Sequence, residues 1–220
     1  MNLMKWIQGF DLFLFDFDGL LVNTEKLHYA AYVRMMEGRG YQLNWSFPRF
    51  CKAAHTNSVA IREGIYADFP ALDPDWQTLY NEKKRCYFEL ISLGKIDLMP
   101  GVHELLSELD KHKKRRCVAT NSPFEQIQLI RAQLPILRTI PHWITREDYE
   151  KPKPDPECYL RAIELHGKPG DRIVGFEDSL RGLKALQGTS ALPILISDVL
   201  PSPLELGCSL QFASLSSISM

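Results

Sequence analysis

Apolar and polar positions along this chain fall into two textures, which change near residues 23 and 95. Leu12 to Phe15 is an unbroken apolar run of strand length, closed by Asp16-Phe17-Asp18-Gly19. From Lys95 onward helical and strand patterns alternate. Gly101 to His112 carries Val102, Leu105, Leu106 and Leu109 at helical spacing, and Arg116 to Thr120 reads as a short buried strand. A second helix is predicted from Ser122, with Pro123 at its first position, Glu125 completing a capping box, and Ile127, Ile130 and Leu134 on its inner stripe. A short strand follows at Trp143 to Thr145, then a helix opened by Asp155-Pro156 and ended by Gly167. Arg172 to Phe176 is a strand, Ser179 to Gln187 a helix closed by Gly188, and Leu192 to Ser197 a final strand. Such alternation predicts an α/β fold: a Rossmann-like parallel sheet core with right-handed crossovers and helices on both faces. Ligands of such sheets bind beyond the C-terminal strand ends.

Between Thr24 and Gly94 the signals are helical only. Leu27, Ala30, Ala31 and Met35 share one side of a helix over Thr24 to Glu37. Asp73-Pro74 opens a longer one with Trp76, Leu79, Tyr80, Tyr87 and Leu90 at helical spacing, a stripe that reads as core, and Gly94 ends it. The expected organisation is a catalytic core of residues 1–22 and 95–220, with a small α-helical cap domain, residues 23–94, placed over the active edge of the sheet. The crossings near Leu21 to Thr24 and Gly94 to Leu98 are short enough to hinge, and the serine-rich tail from Ser214 to Met220 is expected to fray.

The chain's 220 residues suffice for one sizeable core plus such an insert. A formal net charge of −1 gives no reason to expect nucleic acid or a membrane surface as partner, and a monomer is expected. Five basic residues between Lys111 and Arg116 read as a solvated loop before a strand. Cys51, Cys86, Cys117, Cys158 and Cys208 have no zinc spacing and suggest reduced thiols in a cytoplasmic protein. Met1 to Phe10 has no signal-peptide pattern, and no apolar run approaches the roughly 18 residues of a membrane span.

Each polar signal falls just after a predicted strand. Asp16 and Asp18 follow the first, on one side if strand alternation continues. Thr120-Asn121-Ser122 follows the second at a helix N-terminus, where free N–H groups favour an anion. Glu177-Asp178 follows Phe176, and Lys151 sits in the stiff Lys-Pro-Lys-Pro-Asp-Pro run. Taken singly these are turn acids, a helix cap, N-terminal helix charges and an uninformative loop. Together they place three or four carboxylates, a lysine and an anion-accepting helix end at one sheet edge. An acidic oxygen set without histidine or cysteine suits Mg²⁺, and Mg²⁺ beside a lysine and backbone donors suits a phosphoryl group.

Asp16-Phe17-Asp18-Gly19, Thr120-Asn121-Ser122, Lys151-Pro152 and Gly175-Phe176-Glu177-Asp178-Ser179 resemble the four ordered motifs of haloacid dehalogenase-like hydrolases. The helical insert, with Asn23-Thr24-Glu25 and His28, resembles the β-phosphoglucomutase-like subfamily, and the likeness runs from about residue 11 to 197. It implies that Asp16 is a nucleophile forming an aspartyl-phosphate, and that Asp18 is the general acid and then the base that activates water. It implies Mg²⁺ between the Asp16 carboxylate, the Asp18 backbone carbonyl and Asp178, with Glu177 as an additional ligand. Thr120 and the Asn121 backbone would hold phosphate oxygens, and Lys151 would neutralise charge on the phosphate and Asp16. Asn23 stands where the subfamily usually has Asp, and Leu180-Arg181 where Pro and a small polar residue are commoner.

The reaction expected is Mg²⁺-dependent hydrolysis of a small phosphorylated metabolite, such as a sugar phosphate. A phosphomutase is the alternative; it would grip a distal phosphate with cationic cap residues. The stretch Cys51 to Ser58 lacks the arginine that mutases resemble one another in carrying near position 56, although Arg49, Lys52 and Arg62 are close in sequence. Arg49, Lys52, His55 and Lys83 are the polar cap positions expected to influence substrate choice, each of them otherwise a solvated residue. A non-catalytic binding protein on the same fold would have lost part of the acid–lysine set, and dehalogenation would need neither Asp18 nor the metal acids.

Overall fold

A computed structural model of the protein describes residues 3–56, 58–73, 75–94, 96–198, 200, 207 and 210–219. The chain divides into two compact units, Met1–Asn23 with Ile96–Met220, and Thr24–Lys95.

The first unit is built on a sheet of six parallel strands: β1 (Leu12–Phe15), β2 (Arg115–Ala119), β3 (His142–Ile144), β4 (Ile173–Glu177), β5 (Leu192–Ile196) and β6 (Leu210–Phe212). Their order is β3-β2-β1-β4-β5-β6, so the connections leave β1 in opposite directions, and in sheets of this kind ligands bind where the order reverses. β1 and β4 are buried along their whole length, which is why both read as near-continuous apolar runs. Helices α6 (Val102–Lys111), α7 (Phe124–Gln133), α8 (Glu157–His166) and α9 (Leu180–Gln187) supply the crossovers. Val102, Leu105, Leu106 and Leu109 are the buried side of α6. Leu12, Leu14, Cys117, Ala119, Tyr159, Ala162, Ala185 and Leu186 share one core layer.

Several boundaries differ from those the pattern predicts. A first helix, α1 (Leu3–Gly9), buries Trp6 and Ile7, and Trp6 stacks on Phe10 at 5.4 Å. Two turns of helix are too short to show a periodicity. β6 lies beyond the strand read as final, and the tail, expected to fray, forms a 3-10 turn over Leu215–Ser219 that buries Leu215 and Ile218. Two apolar anchors in a serine-rich segment are enough to dock it. The basic run is not a solvated loop throughout. Arg116 is buried in β2 and paired with Asp110, and Arg115 donates to Asp171 at 2.5 Å and to the His166 carbonyl at 2.8 Å. Cys51, Cys86, Cys117 and Cys158 are free thiols; Cys208 lies outside the described residues.

The second unit contains α2 (Glu25–Glu37), α3 (Phe47–Thr56), α4 (Ser58–Asp68) and α5 (Trp76–Leu93). Its core gathers Tyr32, Met35, Met36, Trp45, Phe50, Ile61, Ile65 and Leu79. Trp45 donates to Asp68 at 2.6 Å, and Arg39 grips Glu82 with two bonds of 2.7 and 2.6 Å. Asp75, not Asp73, caps α5 by accepting from the Gln77 and Thr78 amides; Pro74 lies outside the described residues. On α5, Leu79 and Tyr87 are buried while Tyr80 is exposed. Lys83, expected to be solvated, is buried instead, 2.7 Å from His28 Nδ1 and 4.8 Å from the centre of the Tyr87 ring. Arg49 lies over the Trp45 ring and pairs with Asp68 at 2.8 Å, Lys52 is exposed, and the His55 side chain lies outside the described ones. Among the described residues no helix is long and apolar enough to cross a membrane.

At the edge of the sheet His142 and His166 stack with ring centres 3.8 Å apart. Burial, and then the neighbouring imidazole, hold His166 below its ordinary 6.5. The folded state therefore resists the proton that the unfolded chain accepts, so this contribution to stability is whole above 6.5 and declines as pH falls through it. The thermal midpoint of wild type is expected to fall more between pH 7 and pH 5 than that of His166→Phe; parallel pH profiles would contradict this.

Candidate active site

Strand register sets the geometry. Phe15 pairs with Val118 on one side and with Phe176 on the other, so Asp16, Thr120 and Glu177 emerge at the same C-terminal edge. The Asp16 amide donates to the Phe176 carbonyl at 3.1 Å, and the Thr120 amide to the Ile144 carbonyl at 3.0 Å. Carboxylate oxygens of Asp16, Glu177 and Asp178 lie within 4.8 Å of one another. Gly19 turns the chain just after Asp18 with φ +86°, and a Cβ there would fall 2.1 Å from Asp178 Oδ2. Only glycine permits both that backbone angle and that approach.

A buried ammonium holds this acidic group together. Lys153 Nζ lies 2.5 Å from Asp16 Oδ1, 2.7 Å from Glu177 Oε1, 2.8 Å from the Ala119 carbonyl and 2.9 Å from Tyr159 Oη. The Tyr159 hydroxyl donates to Glu177 Oε1 at 2.6 Å. Burial alone would lower the lysine pKa, but the Asp16 and Glu177 charges raise it well above its ordinary value. Burial drives Glu177 upward, with the Lys153 charge opposing that shift. Glu177 is fully buried as the last residue of β4 and is not a residue of the following helix.

Lys151, the lysine expected here, is exposed. The Glu157 carboxylate accepts from the Glu150 and Lys151 amides, both at 2.8 Å, and pins that end of the loop to the start of α8 at the surface. Lys153 is drawn inward, its own amide donating to Asn121 Oδ1 at 3.2 Å. The run holds two Lys-Pro pairs two residues apart. What distinguishes them is the spacing to Tyr159, one turn into the helix, a signal readable only once Tyr159 is known to face the site.

Asp18 has a separate set of partners. Ser122 Oγ donates to its Oδ2 at 2.5 Å, Thr120 Oγ1 lies 3.5 Å from the same oxygen, and Gln126 Nε2 donates to its Oδ1 at 3.3 Å. β1 ends at Phe15, so strand alternation does not reach Asp18. The expected capping box on α7 is absent because Ser122 is committed to Asp18; Glu147 takes the Phe124 amide instead, at 3.1 Å. Asn121 turns its side-chain oxygen to Tyr149, whose hydroxyl donates to it at 2.7 Å. Gln126, Lys153 and Tyr159 are thus the site neighbours that motif reading missed, while Ser122, a residue of the second motif, had its bond to Asp18 unread.

This edge offers a buried carboxylate paired with an ammonium, a second carboxylate held by neutral donors, and an oxygen-only acidic cluster. Residues 10–188 match the haloacid dehalogenase-like hydrolases, and the chain belongs to that family. A phosphorylated carbohydrates phosphatase of Thermotoga maritima is 28% identical over 178 residues, 78% of this chain and 78% of the relative. The 2-deoxyglucose-6-phosphate phosphatase 1 of Saccharomyces cerevisiae is 27% identical, over 85% of this chain and 80% of its own. Among solved structures, CbbY from Rhodobacter sphaeroides in complex with phosphate superposes with a TM-score of 0.77 at 23% identity, covering 95% of this chain and 96% of that one.

Removing Lys153 takes the shared buried ammonium from two carboxylates, whereas removing Lys151 takes an exposed charge near Glu157. Lys153→Met is expected to lose about 3 kcal/mol in urea denaturation, and Lys151→Met less than about 0.5 kcal/mol. Equal losses would reverse the assignment.

Proposed function

We propose that this hydrolase is a Mg²⁺-dependent phosphatase of small phosphorylated metabolites, sugar phosphates among them, working through an aspartyl-phosphate on Asp16. The observation that carries the reading is the buried Asp16–Lys153 pair, 2.5 Å long, set against Glu177 and Asp178 at the sheet's reversal point. Carboxylates of Asp16, Glu177 and Asp178 within 4.8 Å form a hard, oxygen-only donor set that fits Mg²⁺, with the Asp18 carbonyl as a further donor. Bound there, the cation would supply charge neutralisation for a transferring phosphoryl group.

The chain's own residues divide the rest. Asp16 attacks phosphorus, and Asp18 gives a proton to the departing alcohol oxygen. Asp18 then takes a proton from the water that cleaves the acyl-phosphate, which regenerates Asp16 and releases phosphate. Thr120 and the Asn121 amide bind phosphate oxygens at the open end before α7. Four oxygens, of Asp16, Glu177, the Ala119 carbonyl and Tyr159, already compete for the three N–H bonds of Lys153, so the lysine acts by aligning Asp16 and offsetting its charge, not by gripping phosphate. A mutase would share the first half of this sequence; relatives named as phosphatases support water as the acceptor. The helical unit Thr24–Lys95 is assigned the choice of substrate.

Phosphate release from a panel of phosphorylated sugars with Mg²⁺ tests the reading. Activity is expected to vanish in excess chelator and in Asp16→Asn, and Asp178→Asn should raise the Mg²⁺ concentration needed for half-maximal rate. Full turnover in chelator, or near-normal turnover by Asp16→Asn, would sink the proposal.

A further inference from the structure

We infer that Gln126, acting with Ser122, is a positioning residue that sets the orientation of Asp18 for proton transfer; the inference rests on Asp18 being the general acid. Gln126 is buried within the first turn of α7. Its amide nitrogen lies 3.3 Å from Asp18 Oδ1 and 3.0 Å from Ser122 Oγ. An amide nitrogen carries two protons and accepts none, so both contacts are donations from Gln126. Ser122 Oγ therefore receives a proton from Gln126 and directs its own to Asp18 Oδ2, at 2.5 Å. The direction of every bond in this triangle follows from one side chain. Both oxygens of Asp18 are held, one by the amide and one by the hydroxyl, so the carboxyl plane cannot rotate without breaking two bonds.

The local structure gives something up for this arrangement. Ser122, which the sequence places as the local cap of α7, is committed to Asp18, and Glu147 takes the Phe124 amide from 23 residues away in its stead. Gln126 is the polar member of the buried side of α7, beside Ile127 and Ile130, and its amide goes to a carboxylate. Leucine or methionine would fill its place.

A mis-set general acid matters most when the leaving group is a poor one. The test is kcat/KM, which reports the step up to attack by Asp16, for 2,4-dinitrophenyl, 4-nitrophenyl and phenyl phosphate with the Mg²⁺-loaded enzyme. Wild type, Asp18→Asn, Gln126→Met and Ser122→Ala are compared, with circular dichroism confirming each fold. Loss of a general acid costs roughly 10²–10⁴-fold, so loss of its alignment is expected to cost about 10-fold on phenyl phosphate and under about threefold on the dinitrophenyl ester. A merely structural role would lower all three esters in parallel. If Asp18→Asn is ester-dependent while Gln126→Met and Ser122→Ala show parallel or no losses, the positioning role is wrong and the acid stands. If Asp18→Asn is itself ester-independent, the acid assignment falls, and this inference with it. Should Gln126→Met fail to fold, Ser122→Ala decides, since it cuts the same triangle at the other corner.

Discussion

The site depends on burying one ammonium group between two carboxylates. Moving a charge out of water costs several kcal/mol even after relaxation, and only close, fully hydrogen-bonded opposite charges offset it. Lys153 meets that requirement with Asp16, Glu177 and the Ala119 carbonyl, and Tyr159 completes the bonding of Glu177. The lysine offsets the repulsion among Asp16, Glu177 and Asp178, whose carboxylate oxygens lie within 4.8 Å of one another. Three carboxylates against one ammonium leave two negative charges, which a divalent cation would balance. The loop around the lysine is fastened accordingly, by Glu157 on its outer side and by Asn121 on its inner side.

That ion pair is only as well placed as the strands beneath it. β1 lies between β2 and β4, so any shift of its register would carry Asp16 away from Lys153 and Glu177 together. The packing on the far side is equally close. A Cβ at Gly182 would lie 1.9 Å from Glu177 Oε2, so α9 approaches the end of β4 more nearly than any other residue would allow. Ser179 both caps α9, accepting from the Gly182 amide at 3.3 Å, and lies 3.4 Å from Glu177 Oε2. Helix start and acidic cluster are one structure here, which makes the helix boundary part of the chemistry.

The alternation of apolar runs and helical stripes reveals the parallel sheet because β1 and β4 are buried on both faces and have no competing pattern. It does not reveal α1 or β6, since seven and three residues are too few for a period to show. In the helical unit, α3 and α4 were not singled out, although Phe47 with Phe50 and Ile61 with Ile65 stand at helical spacing against a local core. At the site, Asp16, Asp18 and the Glu177-Asp178 pair were legible as acids that end strands. Lys153 was not. Two identical Lys-Pro steps look alike until the Glu157 carboxylate is seen holding one of them outward. Ser122 read as a helix cap for a similar reason: its local partner was visible in sequence and its partner 104 residues away was not.

Two aspartates separated by a single phenylalanine thus meet opposite environments. Asp16, the proposed nucleophile, faces a full positive charge, the Lys153 ammonium at 2.5 Å. Asp18 faces a hydroxyl and an amide, dipoles with no net charge. A hydroxyl can donate to a carboxylate or accept from a carboxylic acid, so Ser122 can remain bonded to Asp18 in either protonation state. An ammonium could not do this; it only donates, and could not stay bonded to Asp18 through the proton cycling proposed for it. The chain breaks strand geometry after Phe15 so that these two side chains can separate, and Gly19 then returns the backbone toward Asp178. A regular strand would have kept both acids on one face with shared partners, and with shared partners neither could have taken a distinct role.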